Sequence, residues 1–356
     1  MYLPGKQFSD RVVAWQAHSG RNDLPWQNTQ DAYRVWLSEV MLQQTQVATV
    51  LPYFTRFVER LPTVAALAAA SQDEVLGLWS GLGYYSRARN LHRCAQAVMA
   101  EHGGKFPRVA DVLQTLPGIG RSTAAAVASL CFGERVAILD ANVKRVLTRV
   151  LGFGDDLALQ TSERKLWAAA GELLPTVRLE QTMPRYTQGM MDLGAMVCLP
   201  RTPACGRCPV SSDCSALRLG TPERFPVRTR TLKRSALSVW WLWMQRCDGA
   251  VWLHRRPSTG VWASLYCFPS FDSRDALAQA ITAGLGTDAE DMPAFKHVLT
   301  HKDLYLHPVR LVVPQAAGAA MAGRWFSPGE WPGLGLPAPI RQLLVQACSQ
   351  PKEVDG

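Results

Sequence analysis

The sequence has no uninterrupted apolar run of the roughly 20 residues that a membrane-spanning helix requires. Its first residues, MYLPGKQFSDRVV, lack the basic and apolar regions of a secretory signal peptide. Internal repeats and low-complexity tracts are also missing. These absences argue against membrane proteins, secreted proteins and repeat arrays, and we expect a soluble multidomain protein of the cytoplasm.

Charge and hydrophobicity indicate more than one core and a polyanionic partner. Hydrophobic residues make up 47% of the 356 residues, a length that allows two or three domains at roughly 150 residues each. The net charge of +9 divides into +5 over residues 1–220, +4 over residues 221–234 and zero over residues 235–356. Because basic surfaces attract nucleic acid, we expect the first two-thirds of the chain and the short basic segment to face it.

The first two-thirds of the chain has the periodicity of an all-α domain. Apolar residues recur every three to four positions in segments that Pro, Gly or Asn separate. These segments predict helices at 8–18, 31–48, 52–60, 72–80, 86–101, 108–115, 121–132, 141–151, 162–174 and 184–197.

The composition changes after the basic, proline-containing stretch TPERFPVRTRTLKR at residues 221–234, which is typical of an interdomain linker. Beyond it, apolar runs flank Asp248-Gly249, a dipeptide favoured in two-residue hairpin turns. Further helix-like or strand-like runs lie near 274–284, 295–300, 304–313 and 338–347. Residues 235–356 are therefore predicted to form a separate α+β domain.

Four of the nine cysteines have the spacing of a metal site. Disulfides are not expected in a cytosolic chain, and four soft thiolates within residues 198–214 have little other structural use. By ligand type alone, structural zinc and an iron–sulfur cluster both fit. The ligands would be Cys198, Cys205, Cys208 and Cys214.

The segment LPGIGRST at residues 116–123 has the form of a helix-hairpin-helix turn. Gly118 and Gly120 flank one aliphatic residue, so the backbone can turn tightly and approach a ligand without a Cβ in the way. The following helix offers free N–H groups and a favourable dipole to an anion, and for a basic chain that anion is a DNA phosphate.

Two carboxylates have patterns that suit glycosidic-bond cleavage. Glu39 lies at the edge of an aromatic-rich helix face, where partial desolvation raises a pKa. Asp140 follows the hairpin by one helix. One poised acid and one ionised carboxylate suit an oxocarbenium-like transition state. The alternatives are a surface Glu on a helix flank and an Asp that only caps a helix.

Five motifs together resemble the adenine DNA glycosylase family, within the wider helix-hairpin-helix glycosylases. They are SEVMLQQTQV, GLGYYSRARNL, LPGIGRSTA, LDANVKRV and MMDLGAMVC, at different places along the chain. The resemblance covers residues from about Phe8 to Leu344 and is strongest over 24–145 and 183–214. Because several motifs agree, it favours the functional interpretation of the two carboxylates.

The resemblance implies a multidomain architecture. A helical glycosylase domain, residues 1–220, would carry a [4Fe-4S] cluster in the four-cysteine loop at 198–214. The basic linker 221–234 would lead to a Nudix-like domain at 235–356 that reads the lesion.

The resemblance also implies roles for individual residues. The acid that protonates the departing adenine would be Glu39, and Asp140 would stabilise the sugar cation. Because such enzymes extrude the target base from the duplex, other residues hold the DNA or the base. These are Trp26, Gln44, Thr45, Leu82, Tyr84, Gly118, Gly120, Ser122, Asn142, Gln188, Thr300 and His301.

A sister family, endonuclease III, shares the hairpin, the Asp and the cysteine spacing. It carries a lysine that forms a Schiff base immediately after the hairpin arginine, where this chain has Ser122. A hydroxyl cannot form an imine, so strong lyase activity is not expected. Lys144 is the nearest substitute, and we expect it to meet phosphate.

The C-terminal region departs from its family patterns at two places. The segment RDALAQAITAGLG lacks the Arg and paired Glu residues that hold Mg²⁺ in Nudix enzymes, so pyrophosphatase chemistry is not expected. Leu299-Thr300-His301 stands where adenine glycosylases carry Phe-Ser-His, which keeps a hydroxyl and an imidazole without the aromatic ring. In the helical domain, Ala141 replaces the family's usual Gly.

We therefore expect a monofunctional glycosylase that removes adenine opposite 8-oxoguanine or guanine. The alternatives are a bifunctional pyrimidine glycosylase with lyase activity and a non-catalytic DNA-binding protein. The expected partner is double-stranded DNA, the expected state is a monomer, and the expected location is the cytoplasm with the nucleoid.

Overall fold

The computed structural model describes residues 3–5, 7–229, 233–282, 289–314 and 321–349. The chain forms two compact units. The first comprises Met1–Ala69 and Arg93–Thr231, and the second comprises Ala70–His92 and Leu232–Gly356. The boundary after residue 231 falls within the basic segment 221–234, of which residues 230–232 lie outside the described ranges.

The described chain up to residue 229 is helical, as its periodicity predicts. No described helix is long and apolar enough to cross a membrane. The boundary between the units at His92 falls within the sixth helix. The helices are α1 (Gln7–Ser19), α2 (Ala32–Leu42), α3 (Val47–Arg60), α4 (Val64–Ala69), α5 (Gln72–Trp79), α6 (Ser86–His102), α7 (Ala110–Leu113), α8 (Arg121–Phe132), α9 (Ala141–Leu151), α10 (Gln160–Glu172), α11 (Leu179–Met196) and α12 (Ser215–Arg218).

The predicted continuous helix at 31–48 is wrong. The chain leaves the helical conformation after Leu42 and begins α3 at Val47. Gln44 has a φ of 59°, a left-handed conformation that an α-helix cannot contain. By contrast, the predicted bounds 121–132 and 141–151 are confirmed. Both of these helices end at a left-handed glycine, as the sequence suggests.

The core of the first unit brings α1 against α11. Phe8, Leu166 and Met190 are each no more than 1% exposed, and burying such a side chain stabilises the fold by roughly 1.5–3 kcal/mol. A Cβ on Gly189 would lie 2.9 Å from Val12 Cγ1. The absence of that Cβ lets the two helices approach closely, which positions the segment after α1 beside α11.

The described part of the basic segment packs on the first unit. Pro222–Arg224 forms a 3₁₀ turn. The Leu157 N–H donates to the Val227 carbonyl at 3.1 Å, and the Thr229 hydroxyl donates to the Asp156 carboxylate. Residues 222–229 are therefore held in place by the first unit, whereas the sequence suggested an extended linker.

The second unit contains a mixed sheet, α13 (Arg274–Thr282) and α14 (Ala338–Ser349). The main strand order is β3-β2-β1-β7-β5, with β4 paired to β1, β6 to β7 and β8 to β2. The β1–β7 pair is parallel and the others are antiparallel. The strands are β1 (Ser235–Arg246), β2 (Val251–Arg255), β3 (Tyr266–Cys267), β4 (Ser270–Phe271), β5 (Ala289–Asp291), β6 (Phe295–Val298), β7 (Lys302–Val313) and β8 (Arg324–Phe326).

Alternation along β1 gives this sheet a core on each face. Trp241 and Trp243 belong to one apolar cluster, and Leu242 and Met244 belong to another. The predicted hairpin at Asp248-Gly249 is confirmed by the antiparallel pairing of β1 with β2. The predicted strands at 295–300 and 304–313 correspond to β6 and β7, and the intervening turn carries Leu299-Thr300-His301. The predicted helix near 274–284 ends at Thr282, and its last two residues lie outside the described ranges.

Residues 70–92 pack within the second unit, which local periodicity did not indicate. A Cβ on Gly77 would lie 2.1 Å from the Gly333 carbonyl oxygen, so α5 lies directly against that backbone. The hydroxyls of Ser80 and Tyr85 both donate to the Leu336 carbonyl, at 3.1 and 2.7 Å. These contacts fix the loop that carries Leu82 and Tyr84.

Candidate active site and cysteine loop

A cleft in the first unit brings together three of the predicted site residues. Trp26, Glu39 and Gln188 line a cavity of about 340 Å³. Trp26 is 6% exposed and makes an edge contact with Phe54 at 5.1 Å between ring centroids. The remaining lining is mainly polar and comes from the segment between α1 and α2, from α2 and α11, and from one residue each of α1 and α8.

Glu39 is half-buried on α2. Burial and the negative charge of Asp140 together raise the pKa of its carboxyl to about 7, against the opposing positive charge of Arg21. A carboxylic acid with this pKa carries a proton at neutral pH in a substantial fraction of molecules. It is therefore suited to donate that proton to a leaving group.

Asp140 is the N-cap of α9, so the structural role considered from the sequence is present. Its Oδ1 accepts the Val143 N–H at 2.6 Å. Burial raises the pKa of this carboxyl, whereas the backbone N–H groups of Val143 and Asn142 and the charges of Arg145 and Lys144 oppose the rise. More groups stabilise an ionised carboxylate here than at Glu39, so the pair has the asymmetry that glycosidic chemistry uses.

The hairpin between α7 and α8 has the predicted geometry. Gly118 has a φ of 75°, which a residue with a side chain rarely adopts. Gly120 is the N-cap of α8 and provides no side-chain oxygen to the first N–H groups of the helix. Those groups remain available to an anion.

Two polar residues near Asp140 have partners within the protein. Ser122 Oγ accepts the Leu139 N–H at 3.2 Å. Asn142 Oδ1 accepts from Arg145 Nη2 at 2.8 Å, and Arg145 Nε donates to the Cys198 carbonyl at 2.7 Å. A hydrogen-bonded path therefore connects the start of α9 with the cysteine loop.

The break between α2 and α3 contains two predicted DNA-binding residues. Gln44 is exposed and Thr45 is half-buried. The Thr45 hydroxyl donates to the Gln43 carbonyl at 3.4 Å, and the Gln43 amide donates to Thr123 Oγ1 at 3.3 Å. This short segment is thus connected to the first turn of α8.

The second unit brings together the other predicted DNA contacts. Tyr84 is 43% exposed, and its hydroxyl lies 2.9 Å from Thr300 Oγ1, although 216 positions separate the two residues. Leu82 is 6% exposed, whereas Thr300 and His301 are exposed. Two loops from distant parts of the chain therefore meet at one polar contact.

Backbone contacts hold the Leu299-Thr300-His301 turn. The Leu299 N–H donates to the Lys302 carbonyl at 2.8 Å, and the Ser235 N–H donates to the His301 carbonyl at 3.1 Å. Arg234 donates to the carbonyls of Leu299 and Thr300 at 2.8 and 3.1 Å and pairs with Asp303. The turn is fixed while its Thr and His side chains face solvent.

The four clustered cysteines line one apolar cavity in the first unit. Arg149, which is 1% exposed, donates to Cys198 Sγ at 3.3 Å and to the carbonyls of Leu199 and Pro200 at 2.6 and 3.0 Å. The predicted ligands are Cys198, Cys205, Cys208 and Cys214.

The cavity fits an iron–sulfur cluster better than a zinc ion. In the described ranges, no group of three or more His, Cys, Asp or Glu residues is arranged to hold one metal ion. Zinc–sulfur bonds of about 2.3 Å would bring four sulfurs to about 3.8 Å from one another. A cluster instead places each thiolate on a different iron and spreads the sulfurs around its surface.

Sequence reasoning missed several residues that hold these sites. Arg21 and Gln27 line the cleft, Asp192 binds Arg21 and Gln188, and Arg234 binds the Thr300 turn. The spacing of Gln188 and Asp192, four residues apart on one helix face, was the only signal in the sequence.

Family models match three consecutive parts of the chain. Residues 37–171 match the HhH-GPD superfamily of base excision DNA repair proteins. Residues 198–214 match the iron–sulfur binding domain of endonuclease III. Residues 240–346 match the NUDIX domain. The helical glycosylase domain with its cysteine loop and the Nudix-like domain, both expected from the sequence, are thus confirmed.

Two relatives, both adenine DNA glycosylases, match this chain over different lengths. Adenine DNA glycosylase of Buchnera aphidicola subsp. Acyrthosiphon pisum is 34% identical over 95% of this chain and 96% of its own length. Adenine DNA glycosylase of Homo sapiens is 45% identical over 59% of this chain and 39% of its own. The bacterial relative therefore covers both units.

Two solved structures share the fold of the first part of the chain. A thermostable thymine-DNA glycosylase has a TM-score of 0.54 and 30% identity, and it covers 60% of this chain and 96% of its own. A non-covalent endonuclease III–DNA complex has a TM-score of 0.50 and 22% identity, with 62% of this chain and 100% of its own covered. The second likeness is one of fold alone.

Proposed function

The chain belongs to the adenine DNA glycosylase family, and from this premise we propose that it hydrolyses the N-glycosidic bond of adenine paired with 8-oxoguanine or guanine in duplex DNA. Membership makes it a DNA glycosylase of base excision repair that acts on adenine and carries a [4Fe-4S] cluster. We propose that Cys198, Cys205, Cys208 and Cys214 bind this cluster, which stabilises the loop that they form.

The observation that carries the proposal is the raised pKa of Glu39 inside a cleft lined by Trp26 and Gln188. An extruded adenine that enters this cleft meets a carboxylic acid that is protonated near neutral pH. Glu39 donates its proton to the departing base, which then leaves as a neutral molecule. This step weakens the glycosidic bond.

Asp140 acts on the other product of bond cleavage, the sugar. Its carboxylate has backbone N–H donors and two neighbouring cations that favour the ionised form. A negative charge held beside the electron-poor sugar carbon stabilises the oxocarbenium-like state until water adds. The two carboxylates thus act on opposite ends of the same bond.

The residues near the hairpin support hydrolysis rather than lyase chemistry. Ser122 has no amine, and its hydroxyl already accepts a backbone hydrogen bond. The Lys144 amine pairs with the Glu163 carboxylate, whereas a Schiff-base nucleophile needs a free amine. A pyrimidine glycosylase with lyase activity would need an unprotonated amine near Asp140.

Recognition of the opposite base is proposed to fall to the second unit and to the break after α2. Tyr84, Leu82, Gln44 and Thr45 would support the distorted duplex. The exposed Thr300 hydroxyl and His301 imidazole can form hydrogen bonds with an altered base edge. The α8 hairpin with Gly118 and Gly120, and the start of α9 with Asn142, would hold the DNA backbone.

The functional division into residues 1–220, 221–234 and 235–356 is part of the proposal. Residues 70–92 are an exception to this division, because they lie in the second unit and carry Leu82 and Tyr84. Double-stranded DNA is the proposed partner. The monomeric state and the location with the nucleoid stay predictions.

One assay tests the two parts of the proposal that go beyond the family activity, which are the preferred opposite base and the hydrolytic mechanism. Single-turnover excision is measured on matched duplexes with A·8-oxoguanine, A·G and A·T pairs, with and without alkali and borohydride. We expect the fastest excision from A·8-oxoguanine, strand breaks only after alkali, and no trapped protein–DNA adduct. Ser122→Lys is the matched control, since it restores an amine at that position. Efficient trapping of the unaltered protein would contradict the hydrolytic mechanism, and equal rates on the three pairs would contradict the assigned opposite base.

A further inference from the structure

A buried carboxylate without an assigned role lies behind the cleft. The side chain of Asp192 is completely buried on α11. Its Oδ2 accepts the Arg21 backbone N–H at 3.0 Å, and its Oδ1 accepts Arg21 Nε at 2.7 Å and Gln188 Nε2 at 3.0 Å. Arg21 Nη2 also lies 2.6 Å from Oδ1. One carboxylate thus holds two residues that line the cleft.

The charge of Asp192 fixes which end of the Gln188 amide faces the base. An ionised carboxylate only accepts hydrogen bonds, so Gln188 must turn its NH₂ group toward Asp192. Burial raises the Asp192 pKa, but the Arg21 charge and three hydrogen bonds favour its ionised form. The Gln188 carbonyl oxygen therefore remains as an acceptor for a molecule in the cleft.

We propose that Asp192 is a positioning residue that sets the hydrogen-bonding polarity of the cleft, so that Gln188 presents an acceptor to the extruded base. This inference rests on the proposed excision of adenine. Adenine has the complementary group, an exocyclic amino donor. Hypoxanthine has nearly the same shape but carries an acceptor oxygen in place of the amino group.

Asp192 also holds Arg21 at a fixed distance from the acid. Arg21 is the cation that lowers the Glu39 pKa, whereas Asp140 on α9 raises it. Glu180 and Arg185 of α11 also line the cleft. Release of Arg21 would therefore move the Glu39 pKa upward and shift the high-pH limb of the excision profile in the same direction.

The test compares adenine with hypoxanthine in otherwise identical duplexes opposite 8-oxoguanine. Asp192→Leu keeps a similar branched shape but has no acceptor, so it no longer holds the Gln188 NH₂ group, and Gln188 can turn either end of its amide to the base. We expect the ratio of the adenine rate to the hypoxanthine rate to fall about ten- to a hundredfold, as for one mismatched buried hydrogen bond. The high-pH limb should move upward in the same variant, because Arg21 is released. An unchanged ratio in folded Asp192→Leu would overturn the proposal.

Two further variants separate positioning from a structural role. Asp192→Glu keeps two acceptor oxygens and should hold the ratio within about threefold of the unaltered protein, even where both rates fall. In a Gln188→Leu background, Asp192→Leu should have no further effect on the ratio but should still shift the pH profile. If Asp192→Leu does not fold, the test rests on Asp192→Glu, because collapse of its ratio would contradict control by acceptor character.

The same experiment separates failure of this inference from failure of the proposed function. If the unaltered protein does not excise adenine opposite 8-oxoguanine, the proposed function fails. If it excises adenine normally while the Gln188→Leu variant keeps the full preference over hypoxanthine, only the assignment of cleft polarity fails.

Discussion

The cleft around Glu39 and the paired loops around Tyr84 and Thr300 differ in what the protein does to their functional groups. In the cleft, the environment changes chemistry, because burial and a neighbouring carboxylate raise the Glu39 pKa to about 7. In the loops, the side chains of Thr300 and His301 face solvent. There Arg234 in one loop and Arg87 in the other hold the backbone, and one hydrogen bond between Tyr84 and Thr300 connects the two loops.

This difference indicates a division between reaction and recognition. Altering a pKa requires desolvation, so the acid must lie inside the first unit among buried polar partners. Reading a base edge requires only a donor or acceptor held at the right place on a surface. Changes in the cleft should therefore affect the rate strongly, and changes in the loops should affect selectivity modestly.

The largest effect should come from Glu39→Gln. The amide preserves shape and hydrogen bonding but cannot donate a proton to the leaving base, so excision should fall at least about a thousandfold while DNA binding is retained. Single-turnover excision and a gel-shift titration measure the two properties. Glu172→Gln, at an exposed residue of α10, is the matched control. Retained excision by Glu39→Gln would move acid catalysis elsewhere.

The next largest effect should be a loss of stability when Arg149, the buried cation beside the cysteine loop, is replaced. Arg149→Met removes donors to Cys198 Sγ and to the carbonyls of Leu199 and Pro200. Hydrogen bonds from a charged group contribute about 1.5–3 kcal/mol, so we expect roughly 3 kcal/mol of destabilisation. Denaturant unfolding measures this loss, and iron content and visible absorption should fall with it. Lys165→Met, on the exposed face of α10, should leave both unchanged. Full stability in Arg149→Met would show that these hydrogen bonds contribute little.

The proposed catalytic residues of the cleft could be predicted from the sequence, whereas the contacts of Asp192 behind the cleft could not. Periodicity gives α8 and α9 their bounds, and the motifs identify Glu39, Asp140 and the four cysteines. Asp192 was missed because a carboxylate on a helix is usually solvated, and only its packing against the segment after α1 buries it.

Long-range packing also explains why residues 70–92 were not assigned to the second unit. Their helical pattern is the same as that of their neighbours in the chain. The contact of Gly77 with Gly333 joins positions about 250 residues apart, and a pattern among neighbouring residues cannot indicate such a contact. Likewise, the composition around Gln44 fits a helix, so no pattern in the sequence indicates the break between α2 and α3. Only the left-handed φ of 59° at Gln44 shows that the helix is interrupted there.

The pH dependence should show the cleft's effect on chemistry directly. With a Glu39 pKa near 7, the protonated acid is lost above that value, and excision should fall about tenfold per pH unit there. The folded state retains the proton between 4.5 and about 7 while the unfolded chain releases it, so the free energy of unfolding should decrease as pH rises through this window. Glu39→Gln should remove that part of the decrease. A profile flat to pH 9 would contradict the assigned acid.

The smallest effect should come from the loops. Tyr84→Phe removes one hydroxyl from the contact with Thr300 Oγ1, and Thr300→Val removes the other. One exposed hydrogen bond contributes about 1 kcal/mol, so we expect the preference for A·8-oxoguanine over A·G to fall roughly fivefold with the rate on A·8-oxoguanine little changed. If the hydroxyls act as a pair, the double variant should lose little more than either single variant. Tyr305→Phe is the matched control, since this exposed tyrosine of the second unit lies outside the contact. A large loss of rate on both duplexes in Tyr84→Phe would instead mean that the loop takes part in the reaction, and the separation between reaction and recognition would no longer hold.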